Sequence, residues 1–366
     1  MDALDDPALH ASRDQSDMYG AIAAFPQHLK QGISLADTVD WSKTQPTTPA
    51  GIAICGMGGS AIGGDLARSY WEHESPMPVT VVRSYTPPFY INNLWYIIAS
   101  SYSGNTAETL AAVEVLHSRR CQTVLALTSG GQLAESAQAR RWRTITLPSG
   151  MMPRAALGYS LGATLMALAR WGIVGNNPNA IAAQLVRDTT NGAAFLETHA
   201  RTWSRDVAGS ANRAKQIAAS IAGRGVVVVG ATGSTDVAAL RFKSQLCENA
   251  KAPAMATAIP EANHNEIVGT ELLRPIDLSV CVIFLCSDDD HPEIRRQSDV
   301  LGSLLREQGV DVVTIQSQGN NRLERLLYLV HLGDYISYYT AILNGVDPTP
   351  IAPIDRLKSA LASRKQ

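Results

Sequence analysis

The length, composition and charge of this chain exclude several classes of protein. Its 366 residues correspond to about two or three domains, and 31 Lys and Arg against 33 Asp and Glu leave a formal charge of −2. A chain that is 45% hydrophobic and 17% charged is expected to fold around a sizeable core, and it lacks the basic surface of a nucleic-acid-binding protein.

The N-terminus and the cysteines predict a cytoplasmic protein without a membrane-spanning segment. Residues 1–7 are acidic and lack the basic-then-apolar order of a signal peptide, and no apolar run reaches about 18 residues. The five cysteines form no CxxC pair. This pattern is typical of reduced, buried thiols rather than of metal ligands, so we expect no metal site.

The first half of the chain predicts a helical segment followed by strand–helix units. Residues 1–45 are expected to be helical and lead into a Pro- and Thr-rich linker at 45–49. Short apolar runs without polar alternation then predict five strands of a parallel sheet, at 51–55, 79–82, 95–99, 123–127 and 144–147. Stretches with helical spacing, such as 106–119, separate the strands and indicate a doubly wound α/β domain.

The same pattern begins again in the second half. Residues 171–204 predict a polar helical connector, and apolar runs at 225–230, 278–285 and 310–316 predict further strands separated by helices. We therefore expect two similar α/β domains, at 46–170 and 205–366. The second domain is predicted to end with the tail 347–350 and a short helix that finishes near Lys358.

Two loops at predicted strand ends indicate a phosphate site in the first domain. They are Gly-Met-Gly-Gly-Ser at 56–60 and Ser-Tyr-Ser-Gly-Asn-Thr at 101–106. In an open parallel sheet, ligands bind beyond the carboxyl ends of the strands, where hydroxyls, backbone N–H groups and helix N-termini can hold an anion. Each loop alone also fits a tight turn or a helix N-cap. The expected phosphate-binding residues are Gly59, Ser60, Ser101, Ser103 and Thr106.

Two other turns bear on this interpretation. The turn at 128–131, Thr-Ser-Gly-Gly, could add a hydroxyl to the site or cap the helix that follows. The corresponding loop of the second domain, at 287–290, is Ser-Asp-Asp-Asp, and its carboxylates would repel a phosphate. Phosphate binding is therefore assigned to the first domain, and the three aspartates are interpreted as caps of the helix that begins at Pro292.

The glycine loop leaves a second interpretation open. Gly56, Gly58 and Ala61 satisfy the spacing of a dinucleotide-binding loop, and Arg83 ends the next strand, where a residue that selects the cofactor would lie. This spacing would indicate an NADP-dependent enzyme, but it leaves the loop at 101–106 unexplained.

Glu248 and His264 are candidate proton-transfer residues in the second domain. Glu248 ends a predicted helix that begins near Thr235, and His264 lies in a polar turn. A carboxylate at a helix end and a histidine in a loop could both enter a cleft and act as acid and base. Considered alone, Glu248 also fits a solvated helix residue.

Six segments, in order from about residue 50 to residue 358, resemble the bifunctional phosphoglucose/phosphomannose isomerases, two-domain members of the sugar isomerase (SIS) fold. The segments are GMGGSAIGGD, SYSGNTAET, MPRAALGYS, ENAKAPA, PEANHNEIVG and DPTP with the following LK. The resemblance implies two SIS domains and an aldose–ketose isomerase without metal or organic cofactor. Such an enzyme interconverts fructose 6-phosphate with glucose 6-phosphate and/or mannose 6-phosphate through a cis-enediol(ate).

The resemblance also implies roles for individual residues. Glu248 matches the base that moves a proton between C1 and C2, and Arg154 matches the cation beside the enediolate. His264 and Lys358 match residues that assist ring opening. A homodimer is implied, with the site at the interface and the histidine supplied by the partner. The alternatives are a non-catalytic sugar-phosphate-binding SIS regulator and the NADP-dependent enzyme.

Overall fold

The computed structural model describes residues 3–41, 49–121, 123–175, 177–269 and 279–363. Two predicted features lie partly outside the described residues. They are the linker predicted at 45–49, of which only residue 49 is described, and the strand predicted at 278–285, whose first residue is not described. The described residues form two parallel sheets with helices on both faces. This architecture confirms the predicted α/β class with two doubly wound sheets. None of the helices within these ranges is both long and apolar enough to cross a membrane.

Three helices precede the first sheet: α1 (Pro7–Arg13), α2 (Met18–Ala23) and α3 (Phe25–Ala36). Proline occupies one of the first positions of α1 and α3, where its missing N–H costs no helix hydrogen bond. Asp6 caps α1 by accepting a hydrogen bond from the Ala8 N–H at 2.9 Å. The predicted helical character of the N-terminal segment is confirmed for its described residues as far as Ala36.

The first sheet contains β1 (Gly51–Cys55), β2 (Val79–Val82), β3 (Trp95–Ser100), β4 (Val124–Thr128) and β5 (Arg143–Thr146). Its order is β2-β1-β3-β4-β5, with every pair parallel. The predicted strands agree with these bounds to within one residue. The helices of this half are α4 (Gly58–Trp71), α5 (Ala107–Ser118), α6 (Gly131–Arg140) and α7 (Leu157–Arg170).

The connector is a single long helix, α8 (Pro178–Thr202), and is followed by α9 (Arg213–Ile221). The second sheet contains β6 (Gly225–Ala231), β7 (Ala254–Ile259), β8 (Val280–Cys286) and β9 (Asp311–Gln316), all parallel in the order β7-β6-β8-β9. Its helices are α10 (Asp236–Glu248), α11 (Glu266–Gly269), α12 (Pro292–Glu307) and α13 (Arg322–Leu343). The tail ends in α14 (Ala352–Ser363), which continues past the predicted end near Lys358.

The main core lies between the two sheets. Helix α4 packs on the first sheet and α10 on the second, α7 packs against α4 and α13 against α10, and α4 contacts both α10 and α13. Two smaller apolar clusters cover the outer faces, one under α5 and α6 and the other under α12. This packing matters for function because it fixes the ends of α4 and α10 relative to each other.

The cysteines depart from prediction at one position. All five are free, and Cys55, Cys121, Cys281 and Cys286 are buried as expected. Cys247 is exposed, so the prediction of buried thiols is wrong there. Cys247 lies in the last turn of α10, and its side chain is not among those of this helix that pack into the core.

Candidate active site

The two glycine- and serine-rich loops meet at the switch point of the first sheet. Strands β1 and β3 are neighbours, and the chain leaves them toward opposite sides of the sheet, a position at which open α/β sheets bind ligands. Helix α4 begins just after β1, and α5 begins just after the loop that follows β3. The Tyr102 N–H donates to Ser60 Oγ at 3.3 Å, so the structure brings the two loops together.

Two hydroxyls of the second loop face each other. Ser101 Oγ lies 2.9 Å from Thr106 Oγ1, and Ser101 is 1% exposed. Thr106 occupies the N-cap position of α5, but its side chain makes no capping hydrogen bond. Ser103 is exposed, and its hydroxyl accepts from the Asn105 N–H at 3.3 Å. These hydroxyls at a helix N-terminus suit a phosphate monoester.

The turn at 128–131 holds the second loop in shape. Ser129 Oγ donates to Tyr102 O at 2.6 Å, and Thr128 Oγ1 donates to Gly130 O at 2.8 Å. Gly104 has a φ of +70°, and a Cβ atom there would lie 1.8 Å from Gly130 O, so only glycine fits. Neither hydroxyl caps α6; in its first turn the Gln132 N–H donates instead to Asn105 Oδ1, from the second loop, at 3.1 Å.

Gly59 places the first loop against the turn that carries Arg154. A Cβ atom at Gly59 would lie 2.9 Å from Pro153 O and 3.4 Å from the Arg154 Cα. Because glycine has no side chain, the N-terminus of α4 can approach this backbone closely. Arg154, which is 3% exposed, is thereby held beside the predicted phosphate loops.

The guanidinium of Arg154 extends from the first sheet into the second half of the chain. Its NH1 lies 3.5 Å from Glu248 Oε2, and its Nε donates to Asn249 Oδ1 at 2.7 Å. Its NH2 donates to the carbonyl oxygens of Pro348 at 2.7 Å and Thr349 at 2.8 Å. The structure thus brings together Arg154 and Glu248, which are 94 residues apart in the sequence.

Two positively charged side chains, Arg154 and Lys251, lie beside Glu248 and would attract an anionic substrate. Burial lowers the pKa of the Arg154 guanidinium, Glu248 partly offsets that effect, and an arginine still remains protonated near neutrality. Lys251 also lies here, with Nζ donating to Glu248 O at 2.8 Å and to Pro348 O at 3.3 Å. Partial burial, followed by the positive charge of Arg154, lowers the pKa of Lys251 to about 8.

His264 and Lys358 lie apart from this group. His264 ends the short 3₁₀ helix Glu261–His264 after β7 and is exposed, and Lys358 lies on α14 and is also exposed. In the part of the chain that the structure describes, no hydrogen bond or ion pair links either side chain to Glu248 or Arg154.

Arg83, which the dinucleotide interpretation took as the residue that selects the cofactor, forms an ion pair within the chain. Arg83 does not stand free for a cofactor phosphate, because both of its terminal nitrogens bond the carboxylate of Asp65 on α4. This pairing removes the support that Arg83 gave to an NADP-dependent enzyme.

The acidic loop of the second half is not a helix cap, so that prediction is wrong. The N-cap of α12 is His291, whose Nδ1 accepts from the Glu293 N–H at 3.2 Å, because it directly precedes the proline that begins the helix. Asp289 instead pairs with Arg325, with contacts of 2.6 and 2.8 Å. An internal carboxylate thus binds an arginine at the loop that corresponds to the predicted phosphate loop of the first half.

Known proteins are similar to this chain in sequence, and solved structures are similar to it in fold. A bifunctional phosphoglucose/phosphomannose isomerase from Caldicellulosiruptor bescii is 38% identical over 348 residues, which is 95% of this chain and 100% of that protein. The enzyme of the same name from Aquifex aeolicus is 34% identical, over 85% of this chain and 90% of that one. The chain belongs to this family.

Two further comparisons agree with that family. The family model of the bacterial phospho-glucose isomerase C-terminal SIS domain matches residues 210–361. The crystal structure of tagatose-6-phosphate ketose/aldose isomerase from Escherichia coli superimposes with a TM-score of 0.68, at 16% identity, over 90% of this chain and 94% of that chain. At that identity the likeness shows the fold alone, which is the SIS arrangement expected. Neither the regulator nor the NADP-dependent enzyme gains support.

Sequence reasoning missed several groups around Arg154. Asn249 and Lys251 lie in the segment ENAKAPA, and Pro348 and Thr349 lie in DPTP, but the roles predicted from these two segments fall on Glu248 and Lys358 alone. The signal that could have found Asn249 and Lys251 is their position in the sequence, because both follow within three residues of the expected base Glu248. Backbone carbonyls, however, have no side-chain signature that a sequence could reveal.

Proposed function

We propose that this protein is an aldose–ketose isomerase that interconverts fructose 6-phosphate with glucose 6-phosphate and/or mannose 6-phosphate. In this proposal, residues 46–170 form the domain that holds the phosphate, and residues 205–366 form the domain that supplies the base. The family to which the chain belongs supports the reaction, and the geometry supports the division of roles.

One observation carries the assignment of roles. Arg154 adjoins the phosphate loop through Gly59, and its guanidinium lies 3.5 Å from Glu248 Oε2. A sugar phosphate anchored by Ser60, Ser101, Ser103 and Thr106 would extend its far end past this cation toward the carboxylate. Anchoring a remote phosphate orients the reacting carbons, and orientation accounts for a large share of many rate enhancements.

The reaction then needs a base and a fixed cation. Glu248 takes the proton from C1 of the open-chain ketose, or from C2 of the aldose, and returns it to the other carbon. The hydroxyl proton moves between O1 and O2, so the overall step is an isomerisation with no net gain or loss. NH1 of Arg154 stabilises the negative charge that develops on the enediolate oxygen. Return of the proton to either face of C2 gives glucose or mannose 6-phosphate.

Ring opening is assigned to His264 and Lys358. The exposed positions of both side chains support a homodimer in which His264 reaches the site of the partner subunit. A neutral imidazole can donate to the ring oxygen and accept from a hydroxyl near neutral pH. Lys358 supplies a second donor for the ring oxygen.

Substitution of Glu248 tests the mechanism. We expect Glu248→Gln to lower kcat for fructose 6-phosphate by about 100- to 10,000-fold, the usual contribution of a general base, with a small change in KM. Proton NMR of fructose 6-phosphate with the enzyme in D2O measures turnover, shows which aldoses form and locates the incorporated deuterium.

Glu307→Gln is the matched control. Glu307 is the exposed last residue of α12, just as Glu248 is the last residue of α10, so this variant loses an equivalent charge away from the site. It should retain wild-type turnover. A Glu248→Gln variant that turns over at the rate of Glu307→Gln would refute the role of Glu248, and tight binding of fructose 6-phosphate by an inactive wild type would point to a regulator.

A further inference from the structure

Arg154 is part of a closed ring of buried hydrogen bonds. Its Nε donates to Asn249 Oδ1 at 2.7 Å, and Asn249 Nδ2 donates to Ser337 Oγ at 3.0 Å. Ser337 Oγ donates in turn to Asp334 O at 2.7 Å. The Asp334 carboxylate accepts from Nε and NH2 of Arg241 at 3.1 and 2.9 Å, and the same NH2 donates to Arg154 O at 2.8 Å, which closes the ring.

Every member of the ring is almost fully buried. Asn249 and Ser337 are 0% exposed, Arg241 is 2% exposed, and Arg154 and Asp334 are each 3% exposed. A buried ion pair such as Arg241–Asp334 is weak evidence for stability, because desolvation offsets most of the attraction. Its retention beside an expected catalytic arginine therefore calls for another explanation, such as fixing a geometry.

The hydrogen bonds of Arg154 show which geometry is fixed. A guanidinium has five N–H groups in a rigid plane. Nε uses one on Asn249, and NH2 uses two on the carbonyls of Pro348 and Thr349. Among the described residues, NH1 has Glu248 Oε2 as its one acceptor, at 3.5 Å. The remaining donor capacity is therefore directed at the place where the substrate would lie.

We propose that Asn249, Ser337, Asp334 and Arg241 are positioning residues for Arg154, a role that rests on the proposed isomerase function. The ring holds the backbone of Arg154 through Arg241 and its side chain through Asn249. It also joins the turn before α7 to α10 and α13, so the cation from the first half keeps its place beside the base from the second. A displacement of about 1 Å in such a group can cost about 100-fold in rate.

Ser337→Ala tests this role with minimal disturbance. The change removes the hydroxyl that orients the Asn249 amide and leaves every charge in place. We expect kcat to fall by about tenfold while KM for fructose 6-phosphate changes by less than about twofold, because no phosphate-binding residue is altered. The primary isotope effect on kcat with glucose 6-phosphate deuterated at C2 should rise, since proton transfer then limits turnover more strongly.

Thr340→Val is the matched control on the same helix. Thr340 is also 0% exposed, and its hydroxyl donates to Ile336 O at 2.8 Å without reaching the ring. Thr340→Val should change Tm about as much as Ser337→Ala does, while its kcat and its isotope effect stay at the wild-type values. Equal losses of kcat in the two variants, or a Ser337→Ala variant that differs only in Tm, would overturn the positioning role.

The same measurements separate this inference from the proposed function. A wild-type protein that isomerises none of the three sugar phosphates overturns both. If the wild type is active, Arg154→Lys is inactive and Ser337→Ala is fully active, the proposed function stands and the positioning role of the ring is overturned. An active wild type with the selective loss of kcat in Ser337→Ala supports both.

Discussion

Cys247 and Glu248 are adjacent residues with different surroundings. Cys247 is exposed at the end of α10, while Glu248 turns toward the buried Arg154, because consecutive helix residues point about 100° apart. Burial raises the pKa of the other four cysteines, to about 12 for Cys55 and about 11 for Cys286. Since the thiolate is the reactive form, these four should react slowly.

Thiol labelling checks this difference. In the native protein we expect one thiol to react rapidly with a disulfide reagent, and all five to react after denaturation. Cys247→Ser should abolish the rapid phase and keep kcat within about twofold, because neighbouring helix positions do not face each other. Rapid labelling that persists in Cys247→Ser would contradict the buried state of the other cysteines.

At the level of residues, sequence reasoning proposed Glu248 and Arg154 for the candidate site but not the contacts that join them. Glu248 and Arg154 came from motifs, and Glu248 alone also fitted a solvated helix residue. What makes them a candidate site is the contact between them and the bonds of Arg154 to Asn249, Pro348 and Thr349. Such contacts join parts of the chain about a hundred residues or more apart, and no periodicity in the sequence encodes them.

At the level of elements, the helices and strands that sequence reasoning placed poorly are those without a clear pattern. Short, continuous apolar runs marked the central strands, whereas β7 is a partly exposed edge strand directly after Pro253 and was missed. Helix α13 is buried except at Arg322, Arg325 and Leu343. A helix surrounded on all sides has no polar face, so its sequence does not show which residues contact which neighbours.

His331 is a buried titratable group within α13. The ring is 0% exposed, and its Nε2 lies 2.9 Å from Ile22 O, so Nε2 carries a proton and donates to that carbonyl. Phe25, Trp203 and Tyr335 surround the ring. Burial lowers the pKa of His331 to about 4, well below its ordinary value of 6.5.

Acid should therefore destabilise the protein through His331. Because its pKa is lower in the folded than in the unfolded state, its contribution is fully present above pH 6.5 and is lost as pH falls toward 4. The loss is on the order of 3 kcal/mol in the free energy of unfolding. Urea unfolding of the wild type and His331→Gln at pH 7 and pH 4.5 measures it. The glutamine variant should lose less stability between the two pH values, and equal losses would exclude His331 as the source.

At the level of the whole molecule, the net charge of −2 is compatible with an anionic substrate. The proposed phosphate loops use hydroxyls and helix N-termini, and Arg154 is buried beside them rather than on a basic surface. The residues assigned to ring opening lie outside this group. Helix α14, which carries Lys358, is exposed from 352 to 361 and includes the apolar side chains Ile354, Leu357 and Leu361. Exposed apolar side chains on one helix are typical of surfaces that contact a partner.

A shared active site can be tested by mixing two inactive variants. If Glu248 of one subunit works with His264 of its partner, then Glu248→Gln and His264→Ala should each be inactive as homodimers. A dimer that contains one subunit of each kind has one site with both native residues and one site with neither. Equal co-expression gives half mixed dimers, so we expect about one quarter of the wild-type activity.

Light scattering should show a dimer for the wild type and both variants. If His264 served the Glu248 of its own subunit, no dimer in the mixture would contain an intact site and the activity would stay at the level of the single variants. Restored activity would place the catalytic histidine on the partner, which accounts for its exposed position and for its separation from Glu248 within one chain.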